Sequence, residues 1–198
     1  MTQGTITTYN PTAKTVHWLT AFAILGMLIT GSVMGSDTWS PEVRSALYTS
    51  HKTTGILILL LTLFRLYWRY HTPSPPLPID RMPVWQVWAA RLVHAALYGL
   101  LIAIPLSGWA LVSTGSHGIQ LFGVIPFPSL PFLSGVENVE GLHHALEESH
   151  EIMAGVIAAL TAIHIGAALK HHFIDRDDIL TRISPVSLNR WLDRLRGM

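Results

Sequence analysis

Cysteine is absent from this 198-residue chain, which removes disulfides, thiolate metal sites, iron–sulfur clusters and the thioether attachment of c-type haem. Charge is scarce as well. Asp, Glu, Lys and Arg make up 13% of the residues, against roughly 25% in an ordinary soluble domain, and the mean hydropathy is +0.38. That is a membrane composition, and nothing in it supports nucleic-acid binding.

What is present is apolar sequence in long runs. The few charges cluster and leave uncharged stretches at about 16–35, 53–64, 92–116 and 152–169. At about 1.5 Å of rise per residue, the longer of these cross about 30 Å of hydrocarbon. The reading is four spans, at about 14–35, 51–70, 88–114 and 146–172. Arg65 interrupts the second, where a long basic side chain can snorkel to the interface. The first span follows a polar, Thr-rich leader, contains His17 and lacks a small-x-small cleavage site, so it is read as retained.

Orientation follows from the basic residues. Lys14, Arg65, Arg69, Arg81, Arg91, Lys170, Arg176, Arg182, Arg190, Arg194 and Arg196 fall at the amino terminus, the second connection and the tail, whereas the first and third connections hold only Arg44 and Lys52. The positive-inside rule then makes both termini cytoplasmic. The third connection, with Glu137, Glu140, Glu147, Glu148 and Glu151, faces outward. The expected fold class is all-α, an integral membrane four-helix bundle over residues 1–174 followed by a short cytoplasmic tail at 175–198, with an interfacial helix around Leu188 to Leu195. Thr72 to Pro78 reads as a stiff non-helical connection. Pro105 should kink the third span, and Ile125 to Phe132 should lie at the outer interface.

Histidine is the unexpected abundance, at 11 residues. With the spans in alternating directions, His17 and His164 lie at a cytoplasmic level and His51 and His150 at an outer one. His150 and His164 are separated by 14 residues, about 21 Å of rise, and their side chains fall within about 40° of one another. An unsatisfied imidazole in hydrocarbon costs several kcal/mol. Haem iron is one partner that meets this need, since neutral imidazoles from facing helices give a six-coordinate b-type site at each level, paired His17/His164 and His51/His150. The alternative for any one histidine is a hydrogen bond inside the bundle, or for His17 an interfacial place beside Trp18.

Other positions carry two readings each. Arg65, 14 residues after His51, faces inward as a partner for haem propionates or a quinone head group, or else snorkels. His94 suits a supporting hydrogen bond or a quinone contact. Lys52 and Arg44 could screen outer haem propionates or attract a small anion. Gly26, Gly55, Ala154, Gly155, Gly166 and Ala167 give room either for a macrocycle or for close helix packing. His143 and His144 read as surface residues with metal binding as an alternative, His171 and His172 as headgroup contacts, and His71 and His117 as loop residues.

Several motifs recur in a known order: Val16-His17-Trp18-Leu19, His51-Lys-Thr-Thr-Gly-Ile56, the Pro-rich stretch Thr72 to Pro76, Ser149-His150-Glu151, and Ile163-His164 through His172-Phe173. Through them the sequence resembles the bacterial cytochrome b561 family of four-span dihaem membrane proteins over nearly its whole length, except from Thr114 to His144. The resemblance implies two haem b groups on His17, His51, His150 and His164, and places Arg65 and His94 on family-like positions. It implies electron transfer in a bacterial inner membrane between ubiquinone and a periplasmic donor or acceptor, which includes a superoxide oxidase-like activity, with superoxide or a periplasmic redox protein as partner. The alternative from another class is a transporter using intramembrane histidines for divalent metal or proton relay.

Overall fold

The computed structural model describes residues 7–76, 78, 82–115, 118–133 and 139–195. Arg81, His117, Glu137 and Arg196, used in the charge and loop readings, lie outside the described residues. Four long helices dominate: α1 (Pro11–Val33), α2 (Pro41–His71), α3 (Val84–Thr114) and α4 (Val139–Lys170). All four are long and apolar enough to cross a membrane. Their solvent-exposed side chains are those lipid would cover, among them Phe22, Ile29, Leu60, Leu92 and Ile163.

Local chemistry explains the helix starts. Pro11 and Pro41 each open a helix, where the missing N–H would have been an orphan in any case. Asn10 caps α1 by accepting the Ala13 N–H at 2.9 Å. Arg65 does not break α2, since arginine is a good helix former. Pro105 sits inside α3, which runs on to Thr114.

The structure corrects several expectations. The second helix begins at Pro41 and the fourth at Val139, earlier than the spans because polar turns extend the helices past the apolar windows. His71 is the last residue of α2 and not a loop residue; its Nδ1 donates to the Tyr67 carbonyl at 2.8 Å. The chain is not wholly α: β1 (Ile119–Leu121) and β2 (Ile125–Phe127) form an antiparallel hairpin. Its turn places Phe122 at φ 55° and Gly123 at φ 76°, the left-handed pair that matches strand twist. Alternation of small β-prone stretches around that turn was hidden within an apolar, Pro-rich loop.

By internal contacts the helices divide into two units. One holds residues 1–19, 63–97 and 159–198, the other 20–62 and 98–158, so every long helix contributes a segment to each. In the first unit, α4 ends in a π-helical turn (His171–Asp175), closed by Arg176 in the left-handed region, φ 56°, whose N–H donates to the His171 carbonyl. Two short helices follow, α5 (Ile179–Ile183) and α6 (Val186–Leu195).

These last residues are no detached tail. Lys14 Nζ donates to the Ser184 carbonyl at 3.0 Å, the Trp18 indole to that of Ile183 at 3.1 Å, and the Tyr9 N–H to that of Arg182 at 3.1 Å. The Arg182 guanidinium reaches the Pro76 carbonyl at 2.7 Å, in the non-helical stretch after α2. His172, expected at the headgroups, is instead completely buried, and its Nε2–H donates to the Leu192 carbonyl at 3.2 Å. Replacing it with leucine removes that bond. A net hydrogen bond contributes about 1 kcal/mol, so cleavage by trypsin at Arg190 and Arg194 in detergent-solubilised His172→Leu should quicken roughly five-fold. An unchanged cleavage rate would mean that α6 is held by other contacts.

Candidate cofactor site of paired histidines

In the unit formed by residues 20–62 and 98–158, α2 supplies His51 and α4 supplies His150. Their ring centres are 6.3 Å apart, with planes inclined at 65°. An apolar cavity of about 200 Å³ lies against both rings, lined also by Met27, Leu101, Ile157 and, among polar residues, Lys52. In the other unit α1 supplies His17 and α4 supplies His164, again 6.3 Å between centres and inclined at 67°. The rings paired by depth in the bilayer are neighbours in the structure, although His94 also stands against His164.

The rings of His150, His51 and His17 are each met at Nδ1. His150 Nδ1 lies 3.1 Å from the Ile104 carbonyl, which can only accept, and 3.0 Å from Ser107 Oγ. Nδ1 therefore carries the proton and Nε2 presents a lone pair. Ser107 itself donates to Ile104 O at 2.8 Å. His51 Nδ1 lies 3.5 Å from Thr30 Oγ1, which back-bonds to the Gly26 carbonyl at 3.0 Å. His17 differs: an Arg65 Nη atom donates to its Nδ1 at 2.9 Å. A guanidinium has no acceptor, so in this arrangement the proton of a neutral His17 sits on Nε2.

His94 approaches the same group, its ring centre 5.3 Å from that of His164, and its Nδ1 donates to the Ala90 carbonyl at 2.7 Å. A metal–imidazole bond is about 2.0 Å and the ring nitrogen stands about 1.1 Å from the ring centre, so two imidazoles opposed across one ion have centres about 6.2 Å apart. Both 6.3 Å pairs satisfy that span. The His94–His164 approach is too short for it.

The glycines that touch the rings are not those the sequence suggested. A Cβ on Gly108 would stand 3.1 Å from His150 Cε1, and one on Gly31 would stand 3.4 Å from His51 Cε1. Gly26, Gly155 and Gly166 face open space, and Gly55 meets only the Met27 methyl. Ser107, Thr30, Gly108 and Gly31 were missed by reading the chain alone. A signal existed, since each lies at the depth of a candidate histidine on a neighbouring span, but small polar residues in apolar helices are too common to single out.

The connection after α3 is tied down beside this site. Thr53 Oγ1 accepts the Phe122 N–H at 3.0 Å, Ser113 Oγ accepts the Leu130 N–H at 3.0 Å, and the Trp109 indole donates to the Pro128 carbonyl at 2.8 Å. Outside the pairs, His171 meets Asp175 and Asp177, the one group of three possible metal ligands among the described residues.

Four membrane-length helices make this a multi-pass membrane protein, and it carries two pairs of neighbouring imidazoles. The chain belongs to the prokaryotic cytochrome b561 family, whose model matches residues 8–185. It is 34% identical over 183 residues to cytochrome b561 homolog 2 of Escherichia coli K12, covering 88% of this chain and 90% of that one. With cytochrome b561 homolog 1 of the same organism it shares 32% over 180 residues, 89% and 97% of the two chains. With the probable superoxide oxidase CybB of Yersinia pestis it shares 28% over 171 residues, 86% and 92% of the two chains. The family is one of membrane-bound b-type cytochromes in electron transport, so haem b is the cofactor it implies.

Close approach of Gly108 to His150 yields a test that needs no cofactor. A side chain there overpacks the site, which typically costs 1–3 kcal/mol, about 2 kcal/mol at the middle of that range. Gly108→Val should lower the melting temperature in detergent, whereas Gly155→Ala, which enters open space, should not. Equal effects from the two would remove the packing argument.

Proposed function

We propose that the protein is a transmembrane dihaem b-type cytochrome of the bacterial inner membrane, with residues 1–174 as its cofactor-bearing domain and both termini cytoplasmic. It passes electrons between ubiquinone and a donor or acceptor on the periplasmic side. The observation that carries this reading is the repeated 6.3 Å imidazole pair, once in each unit.

His51 and His150 would hold one haem, His17 and His164 the other. The residues present fit the group. At His150 the Nε2 lone pair is already exposed by the Nδ1 bond to Ile104, and an apolar cavity adjoins the pair. Bound haem supplies one-electron chemistry, with its potential tuned by the axial imidazoles and their hydrogen bonds. At His17, Arg65 must release Nδ1 before Nε2 can offer a lone pair. That release frees a guanidinium for a propionate or for a quinone head group, which is the role proposed for Arg65. His94, oriented by Ala90 and standing beside His164, is assigned a supporting or quinone contact. Lys52, lining the cavity beside His51, would balance a propionate of the other haem.

The name of the Yersinia pestis relative, a probable superoxide oxidase, supports superoxide as the periplasmic electron donor, and ubiquinone is our proposed acceptor. A transporter reading finds less support. It needs carboxylates among the paired imidazoles, and among the described residues the carboxylate-bearing group lies at His171, Asp175 and Asp177 instead.

Two measurements test the proposal. By pyridine haemochrome assay, His17→Ala or His164→Ala should halve the haem content, as should His51→Ala or His150→Ala, whereas His94→Ala should retain it; haem loss in the His94 variant would overturn the pairing. For the reaction, purified protein given superoxide and a short-chain ubiquinone should form ubiquinol, with the His51 variant slower by at least tenfold, on the order of 1.4 kcal/mol. Haem-replete protein without ubiquinol formation would leave the cytochrome and exclude this substrate pair.

A further inference from the structure

The last helix, α6, keeps its larger apolar side chains on one side. At about 100° per residue, Leu188, Trp191, Leu192 and Leu195 fall within about 100° of arc, and Arg190 and Arg194 lie together on the flank next to Trp191. Only half of this face is used by the fold. Leu192 is 5% exposed and Leu188 half-buried, whereas Trp191 and Leu195 are 55% and 53% exposed.

What covers the open half follows from its depth. The helix able to cross the membrane runs from Val139 to Asp175, and His172, near its end, donates to the Leu192 carbonyl at 3.2 Å. That bond fixes α6 at the level where the span finishes. The same level follows from α1, where Lys14 and Trp18 hold the Ser184 and Ile183 carbonyls just ahead of α6. In the same unit, Tyr70 at the end of α2 and Trp85 and Trp88 at the start of α3 are also exposed, and aromatic side chains gather at headgroup depth. A helix at that depth with an indole and a leucine open along one edge has lipid for its neighbour. Charge then selects the lipid. Arg182 is engaged by Asp178 at 2.9 Å and Lys170 by Asp175 at 2.6 Å, but Arg190 and Arg194 are exposed, and among the described residues neither makes an ion pair. A guanidinium pairs with a phosphate through two parallel hydrogen bonds. A zwitterionic headgroup cancels its phosphate charge with its own ammonium, and an anionic one does not.

We propose that α6 is a docking surface for anionic phospholipid of the membrane the protein spans. Trp191 and Leu195 enter between the acyl chains, and Arg190 and Arg194 pair with the headgroup phosphates. The inference needs the four spans and not the haems.

The test places the full chain in nanodiscs of phosphatidylcholine, with or without phosphatidylglycerol. Each basic residue near an anionic surface is worth about fivefold, so tryptic cleavage after Arg190 and Arg194 should be about thirtyfold slower when phosphatidylglycerol is present. The chain has no cysteine, so Leu195→Cys can carry a single bimane fluorophore. With phosphatidylglycerol that fluorophore should lose most of its access to acrylamide, a neutral water-soluble quencher. Adding Arg190→Gln and Arg194→Gln should restore access to the phosphatidylcholine level, whereas Arg190→Lys with Arg194→Lys should keep the shielding and show that the helix still folds. Equal cleavage in the two lipids, shielding that persists in the glutamine pair, or the same shielding in phosphatidylcholine with inorganic phosphate added would each overturn the proposal. Neither readout involves haem, so a contrary result here leaves the cytochrome reading in place, and a protein without haem leaves this one.

Discussion

An imidazole withdrawn from water must find a partner for both ring nitrogens, and this requirement organises the molecule. One nitrogen is answered by the protein. Backbone carbonyls and hydroxyls on adjacent helices take the Nδ1 proton of His150, and the Ala90 carbonyl takes that of His94. A second ring stands 6.3 Å away, centre to centre, in both units. Small residues make the approach possible, with Gly108 and Gly31 lying against the rings they accommodate.

The two units solve this problem differently. Around His51 and His150 the ring is set by uncharged groups, Ser107, Ile104 and Thr30, so orientation is independent of any ion. Around His17 the contact is a guanidinium, that of Arg65, and the ring's tautomer depends on where that cation is engaged. Local chain also closes each unit in its own way. The hairpin and the following turn are pinned by Thr53, Ser113 and Trp109, whereas residues 177–195 fold onto the amino-terminal segment through Lys14, Trp18 and Tyr9. Arg182 adds the stretch after α2 to that second assembly.

Much of this was legible in the chain because hydrocarbon imposes so simple a rule. Apolar length revealed four spans, and alternating direction brought His17 to the level of His164 and His51 to that of His150, as their ring contacts show. What remained hidden depended on side-chain direction or on local turns. His172 looks like a boundary residue from its neighbours Lys170 and His171, yet the π-helical turn rotates it inward to Leu192. The hairpin at 119–127 depends on Phe122 accepting a left-handed conformation, which no propensity announces. Ser107 and Gly108 matter through a helix whose face toward α4 could not be told from an apolar run interrupted by Pro105.

The central claim is that two haems are held, each between two imidazoles. Electron paramagnetic resonance of the oxidised, purified protein, with haem counted against protein, tests it most directly. Two haems per chain and low-spin ferric signals alone are the predicted result. A colourless protein, a single haem, or a high-spin signal from an iron lacking its second imidazole would contradict the account.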